Sequence, residues 1–98
     1  MRMLLKWEMG LEEGNEAITS GRVDEINRTL MERTQPEAAY FCTENGARTS
    51  YVFFDLADPA QIPVIAEPLF RHLGSNVQFI PAMNADDLQK GLIEAGQS

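Results

Sequence analysis

The chain has one cysteine, one histidine and one tryptophan. A lone cysteine, Cys42, excludes an internal disulfide. Neither Cys42 nor His72 has a neighbour at metal-ligand spacing, so no metal and no cofactor is expected. Basic residues are also few: 8 Lys and Arg stand against 15 Asp and Glu, a formal charge of -7. That balance repels phosphate backbones and anionic lipid, and no local Lys/Arg cluster offsets it. Neither nucleic acid nor a membrane surface is therefore expected as a partner. No apolar run approaches membrane-spanning length, and Met1 to Met9 is too short and too charged for a signal peptide. A cytoplasmic location is expected. Repeats, low-complexity tracts and linkers are lacking too, so the 98 residues predict one domain, 1–98, with one two-layer core.

What is present is regular alternation. Arg2 to Glu8 predicts a strand with Met3, Leu5 and Trp7 on one face and Leu4, Lys6 and Glu8 on the other. From Glu12 to about Arg33 the spacing is helical, with Ile18, Val23, Ile26 and Leu30 approximating a stripe. Ser20-Gly21 lies in its middle and predicts either a kink or a split. Glu37 to Glu44 reads as a second strand and Ala47 to Leu56 as a third. Asn45-Gly46 between them supplies two residues able to take positive φ, as a two-residue hairpin turn requires. The register follows: Glu44 faces Ala47, Cys42 faces Thr49 and Tyr40 faces Tyr51. Asp58-Pro-Ala-Gln61 predicts a capped helix start, Ile62, Ile65, Leu69 and Leu73 its buried stripe, and Gly74 its end. Asn76 to Met83 reads as an edge strand because Pro81 cannot donate to a ladder. A short C-terminal helix then buries Leu88 and Leu92, and Gly96 to Ser98 frays.

The resulting order is β-α-β-β-α-β plus a trailing helix. Right-handed crossovers put strands one and three at the centre of an antiparallel sheet, an α+β arrangement of ferredoxin-like type. Summed over the strands, one face collects Met3, Leu5, Trp7, Ala39, Phe41, Val52, Phe54, Leu56, Val77 and Phe79. Two main helices suffice to cover it. The other collects Leu4, Lys6, Glu8, Tyr40, Cys42, Tyr51, Phe53, Asp55, Gln78 and Ile80. That mixture is too apolar to stand bare in water and too polar for a dry core. It suits a dimer interface or the wall of a pocket.

Five stretches carry a resemblance: Met1-Arg-Met-Leu-Leu5, Pro36-Glu-Ala-Ala-Tyr-Phe41, Gly46 to Phe54, Asp58-Pro-Ala-Gln-Ile-Pro63 and Pro81-Ala-Met-Asn84. With the strand order and the amphiphilic face, the chain resembles the dimeric α/β-barrel superfamily, in which two ferredoxin-like sheets stack face to face. More narrowly, it is similar to a group of short bacterial proteins of unknown function. The resemblance implies a fold and a homodimer more firmly than a chemistry, since that superfamily holds cofactor-free enzymes, haem-handling enzymes and non-catalytic binders. In such a dimer Leu4, Phe53 and Ile80 would form the interface. Lys6, Tyr40, Tyr51 and Gln78 would line a ligand site, with Lys6 holding an anionic group or pairing with Glu8 or Asp55.

Two functions are compatible with these residues. The first is a homodimer that binds a small aromatic or polyketide-like molecule, or only another protein surface, without catalysis. The alternative is a cofactor-independent isomerase, dehydratase or monooxygenase, with Glu8, Asp55 or Tyr51 as catalytic candidates. Outside this set, His72 is expected to cap a helix C-terminus and pack at the sheet edge. Cys42 is expected to be a buried, inert thiol, and Arg48 a solvated hairpin residue.

Overall fold

Alternation along Arg2–Glu8 sets the architecture. In the computed structural model, which describes residues 1–96, this segment is strand β1, with odd residues buried and even ones half-exposed. Then follow α1 (Leu11–Ser20), α2 (Arg22–Thr34), β2 (Ala38–Glu44), β3 (Ala47–Asp55), α3 (Gln61–Leu73), β4 (Asn76–Pro81) and α4 (Ala85–Gly96). The fold is α+β, with a four-stranded antiparallel sheet in the order β2-β3-β1-β4. Strands β1 and β3 are central, and the proline-ended β4 is an edge. The element order βααββαβα differs from the six-element βαββαβ of the ferredoxin-like fold. The sheet is open and closes no barrel by itself. Gly96, expected to fray, is the last residue of α4, and the rest of that expectation, at Gln97 and Ser98, lies outside the described residues.

The hairpin forms where Asn-Gly directs it. Asn45 and Gly46 take φ of 53° and 75°, and Glu44↔Ala47, Cys42↔Thr49 and Tyr40↔Tyr51 pair in the expected register. The first helical region is split. Gly21 has φ 80°, closing α1 through its N–H to the Ile18 carbonyl and opening α2. The split changes the phase of the stripe: Gly14 and Ala17 face inward on α1, and Ile18, expected to lead the stripe, is exposed.

Helix α3 buries Ile65, Leu69 and Leu73 and ends at Gly74 with φ 53°. Its start is corrected. The Asp58 carboxylate accepts from the Ala60 N–H at 2.9 Å in a turn before Gln61, so it caps that turn, and Gln61 closes no capping box.

The core follows the predicted face. Met3, Leu5, Trp7, Val52, Phe54 and Leu56 from the sheet meet Leu30, Ile65, Leu69 and Leu73 from the helices. Phe79 joins through an edge-to-face contact with Phe54, centroids 6.5 Å apart. Phe41 points to this side but is exposed, because β2 is the sheet edge farthest from β4 and the helices do not reach over it. The largest correction concerns α4. No residue of α4 is buried, and Leu88 and Leu92 face solvent. The covered layer is already filled by α1, α2 and α3, and the chain leaves the sheet edge at Pro81 without turning back over it. The described chain is accordingly long, 55 Å on its greatest axis.

Candidate functional site

The even residues of β1 and their partners make up the uncovered sheet face. Cross-strand pairing arranges them in rows. One row runs Tyr40, Tyr51, Lys6, Gln78 from edge to edge. The next is apolar: Ala38, Phe53, Leu4, Ile80. Leu4 and Phe53 are half-buried and Ile80 is exposed, and no helix of the described chain lies over them.

Lys6 anchors the polar row. Its ammonium donates to Glu44 Oε2 at 2.8 Å and stands 3.9 Å from Glu8 Oε1. It also sits 5.4 Å from the centre of the Tyr51 ring, within cation–π range. The Tyr51 hydroxyl donates to the second Glu44 oxygen. Glu44 thus holds both groups at once, and the three side chains fix one another in place.

Glu44 did not figure among the expected site residues, because a carboxylate flanking a turn reads as a wet strand end. Parity carries the signal for it: Tyr40, Cys42 and Glu44 share a face, and the hairpin register puts that face beside Tyr51. Arg2, the first residue of β1, was not among the expected site residues either. It lies on this face, bound to Glu37 at 2.7 Å and 3.5 Å from Asp87.

Electrostatics follow the geometry. The hydrogen bond from Lys6, then that from Tyr51, holds the Glu44 carboxyl below the usual carboxylate value. The same bond raises the Lys6 ammonium, and the bond to Glu44, aided by desolvation, raises the Tyr51 phenol. The depressed Glu44 contributes stability that is complete above the ordinary carboxylate value of 4.5 and is lost as pH falls through its folded value. The raised Lys6 contributes stability complete below 10.5 and lost as pH rises through its own folded value. Glu44→Gln is therefore expected to lower the urea midpoint at neutral pH and to flatten its decline below pH 4.5. Parallel urea titrations of the two proteins check this; superimposable acid limbs would contradict it.

The structure brings together Lys6, Glu8, Tyr40, Tyr51 and Gln78 and leaves Asp55 apart. Asp55 pairs with the Met1 amine at 2.7 Å and lies opposite Arg2, about 13 Å along β1 from Lys6 at strand rise. Of the two partners expected for Lys6, Glu8 is within ion-pair distance and Asp55 is not, and the shorter contact goes to Glu44.

A concavity of about 390 Å³, open to solvent, borders Lys6, Glu8, Asn76 and Gln78 and wraps the β4 edge to Phe70. Cys42 is exposed, since it lies on the edge strand of the open face. His72 occupies the last turn of α3 as expected, but it is exposed and does not pack against the sheet edge. Arg48 ties the hairpin to α1 by donating to Asn15 Oδ1 at 2.9 Å. Among the described residues no group of three or more His, Cys, Asp and Glu side chains is placed to hold a metal ion, and no helix is long and apolar enough to cross a membrane.

Neither family models nor curated proteins give a match to this chain. An α+β fold built on a four-stranded antiparallel sheet is what it shares with the resemblance drawn from its sequence.

Proposed function

We propose that the protein is a homodimeric binding module of the dimeric α/β-barrel kind, in which two copies stack their open sheet faces. The observation that carries this is the apolar row Ala38, Phe53, Leu4 and Ile80 running beside a fixed polar cluster on a face that nothing in the described chain covers. Burying such a row against its own copy removes it from water, at about 25 cal/mol per Å² of apolar surface. The polar row then lies inside the assembly. Lys6 keeps ammonium hydrogens beyond the one given to Glu44, and Gln78 adds an amide. Together with the Tyr40 and Tyr51 rings they suit a small, flat molecule with an oxygen substituent.

Binding without catalysis is the better reading. A general base working near neutrality needs a carboxyl pushed upward, and Glu44, which the cluster is built around, is pushed down by its two donors. A phenol raised by that carboxylate is likewise held protonated at neutral pH.

Native mass spectrometry of protein purified under mild conditions tests the reading. The expected spectrum is a dimer carrying a copurified small organic molecule, which Lys6→Met loses. A dimer free of any adduct, with no thermal shift from aromatic acids or phenols, would remove the small-molecule site.

A further inference from the structure

We propose that helix α4 is an arm that packs on the second copy of the chain, reciprocally, through Leu88, Leu92 and Ile93. This rests on the dimer proposed above and names the part of the chain that grips the partner. The three side chains are 47%, 59% and 54% exposed, and no residue of the helix is buried. A helix of 12 residues is marginal in water on its own, so its apolar stripe requires a surface to lie on. Among the described residues the chain itself supplies none. Its radius of gyration is 15.7 Å, against about 13 Å for a compact domain of this length.

The second copy is the occupant because of where the arm springs from. Met83 and Asn84 line a shallow depression together with Phe53 and Ala38, at the apolar row of the open face. Asp87, in the first turn of α4, lies 3.5 Å from Arg2 on that same face. The Leu88 stripe therefore continues the proposed interface past the edge of the sheet. Area points the same way. Four strands of six to nine residues present roughly 450 Å² in projection, only one row of it apolar. A stable interface takes about 800 Å² of accessible surface from each partner with an apolar centre, and a single apolar row supplies little of that centre. The arm adds about 18 Å of helix, and twofold symmetry counts every contact twice.

Hydrogen exchange on the full-length protein, run at concentrations above and below its dimer dissociation constant, reads the arm directly. The expected result is amides of 85–96 that are protected in the dimer and exchange freely on dilution. Light scattering on Leu88→Gln/Leu92→Gln, which keeps good helix formers in place, is expected to show at least ~100-fold weaker self-association. A wild-type dimer whose α4 amides exchange freely, or a double variant that dimerises as tightly as wild type, would overturn the arm while leaving the stacked-sheet dimer standing. A chain that is monomeric throughout would overturn both. Protection of α4 that persists unchanged in the monomer would overturn the arm alone.

Discussion

Phe53→Glu is expected to yield a monomer, or insoluble protein, with its secondary structure intact. Phe53 is half-buried between Leu4 and Ala38, which pair with it from the two neighbouring strands, in the middle of the apolar row. In the stacked dimer a carboxylate at this position would lose its water, and the two cations nearest it on the face, Arg2 and Lys6, are already held by Glu37 and Glu44. Burying a charge in that way costs several kcal/mol even after relaxation. A twofold interface carries the substitution twice, so the dissociation constant should rise by at least a factor of ~1,000. Circular dichroism separates this from unfolding. Ile18→Glu serves as a control of equal chemistry, because Ile18 is exposed on α1 on the far layer, and it should remain a dimer. A Phe53→Glu protein that dimerised like wild type would mean that the open sheet face is not the dimer interface.

The second large effect lies in the core. Trp7 is 1% exposed, the largest of the fully buried side chains, on central strand β1 and part of the core cluster. Trp7→Ala leaves a hole that its neighbours fill only in part, at a cost of about 3–5 kcal/mol. Domains of this size have roughly 5–15 kcal/mol in all, so the variant should be largely or marginally unfolded at 37 °C. Trp7→Phe should lose much less. It keeps a ring in the site and deletes an indole N–H that finds no hydrogen-bond partner among the described residues. Urea titrations at one fixed protein concentration compare the variants, since dimerisation would otherwise shift the midpoints. Equal midpoints for Trp7→Ala and wild type would place the core elsewhere.

The sheet was legible in the sequence because period two and one Asn-Gly turn leave little freedom. Once Asn45 and Gly46 take positive φ, every pair from Ala39↔Val52 to Glu44↔Ala47 is determined. Helix ends were less legible. As a residue in the sequence Gly21 is equally compatible with a kink and a break, and its φ of 80° makes it a break. What alternation could not disclose is which apolar stripe finds a partner in the same chain. Leu69 and Leu88 sit in similar helical patterns, yet one is fully buried and the other is half-exposed. The difference is position: α3 returns across the sheet, whereas α4 begins where the sheet ends.

The candidate site was legible by face and illegible by reach. Parity put Lys6, Tyr51, Glu8 and Gln78 together, and pairing keeps them together. A lysine side chain spans more than one cross-strand spacing, so its choice of Glu44 over Asp55 depends on the diagonal geometry of the hairpin. Asp55 had a nearer cation in the Met1 amine.

Size-exclusion chromatography with light scattering on the wild-type protein at micromolar concentration tests the central claim most directly. A mass of twice the 11.0 kDa chain is the predicted result. A particle of 11.0 kDa at every concentration would contradict it, since the row of Leu4, Phe53 and Ile80 would then stand in water unaided.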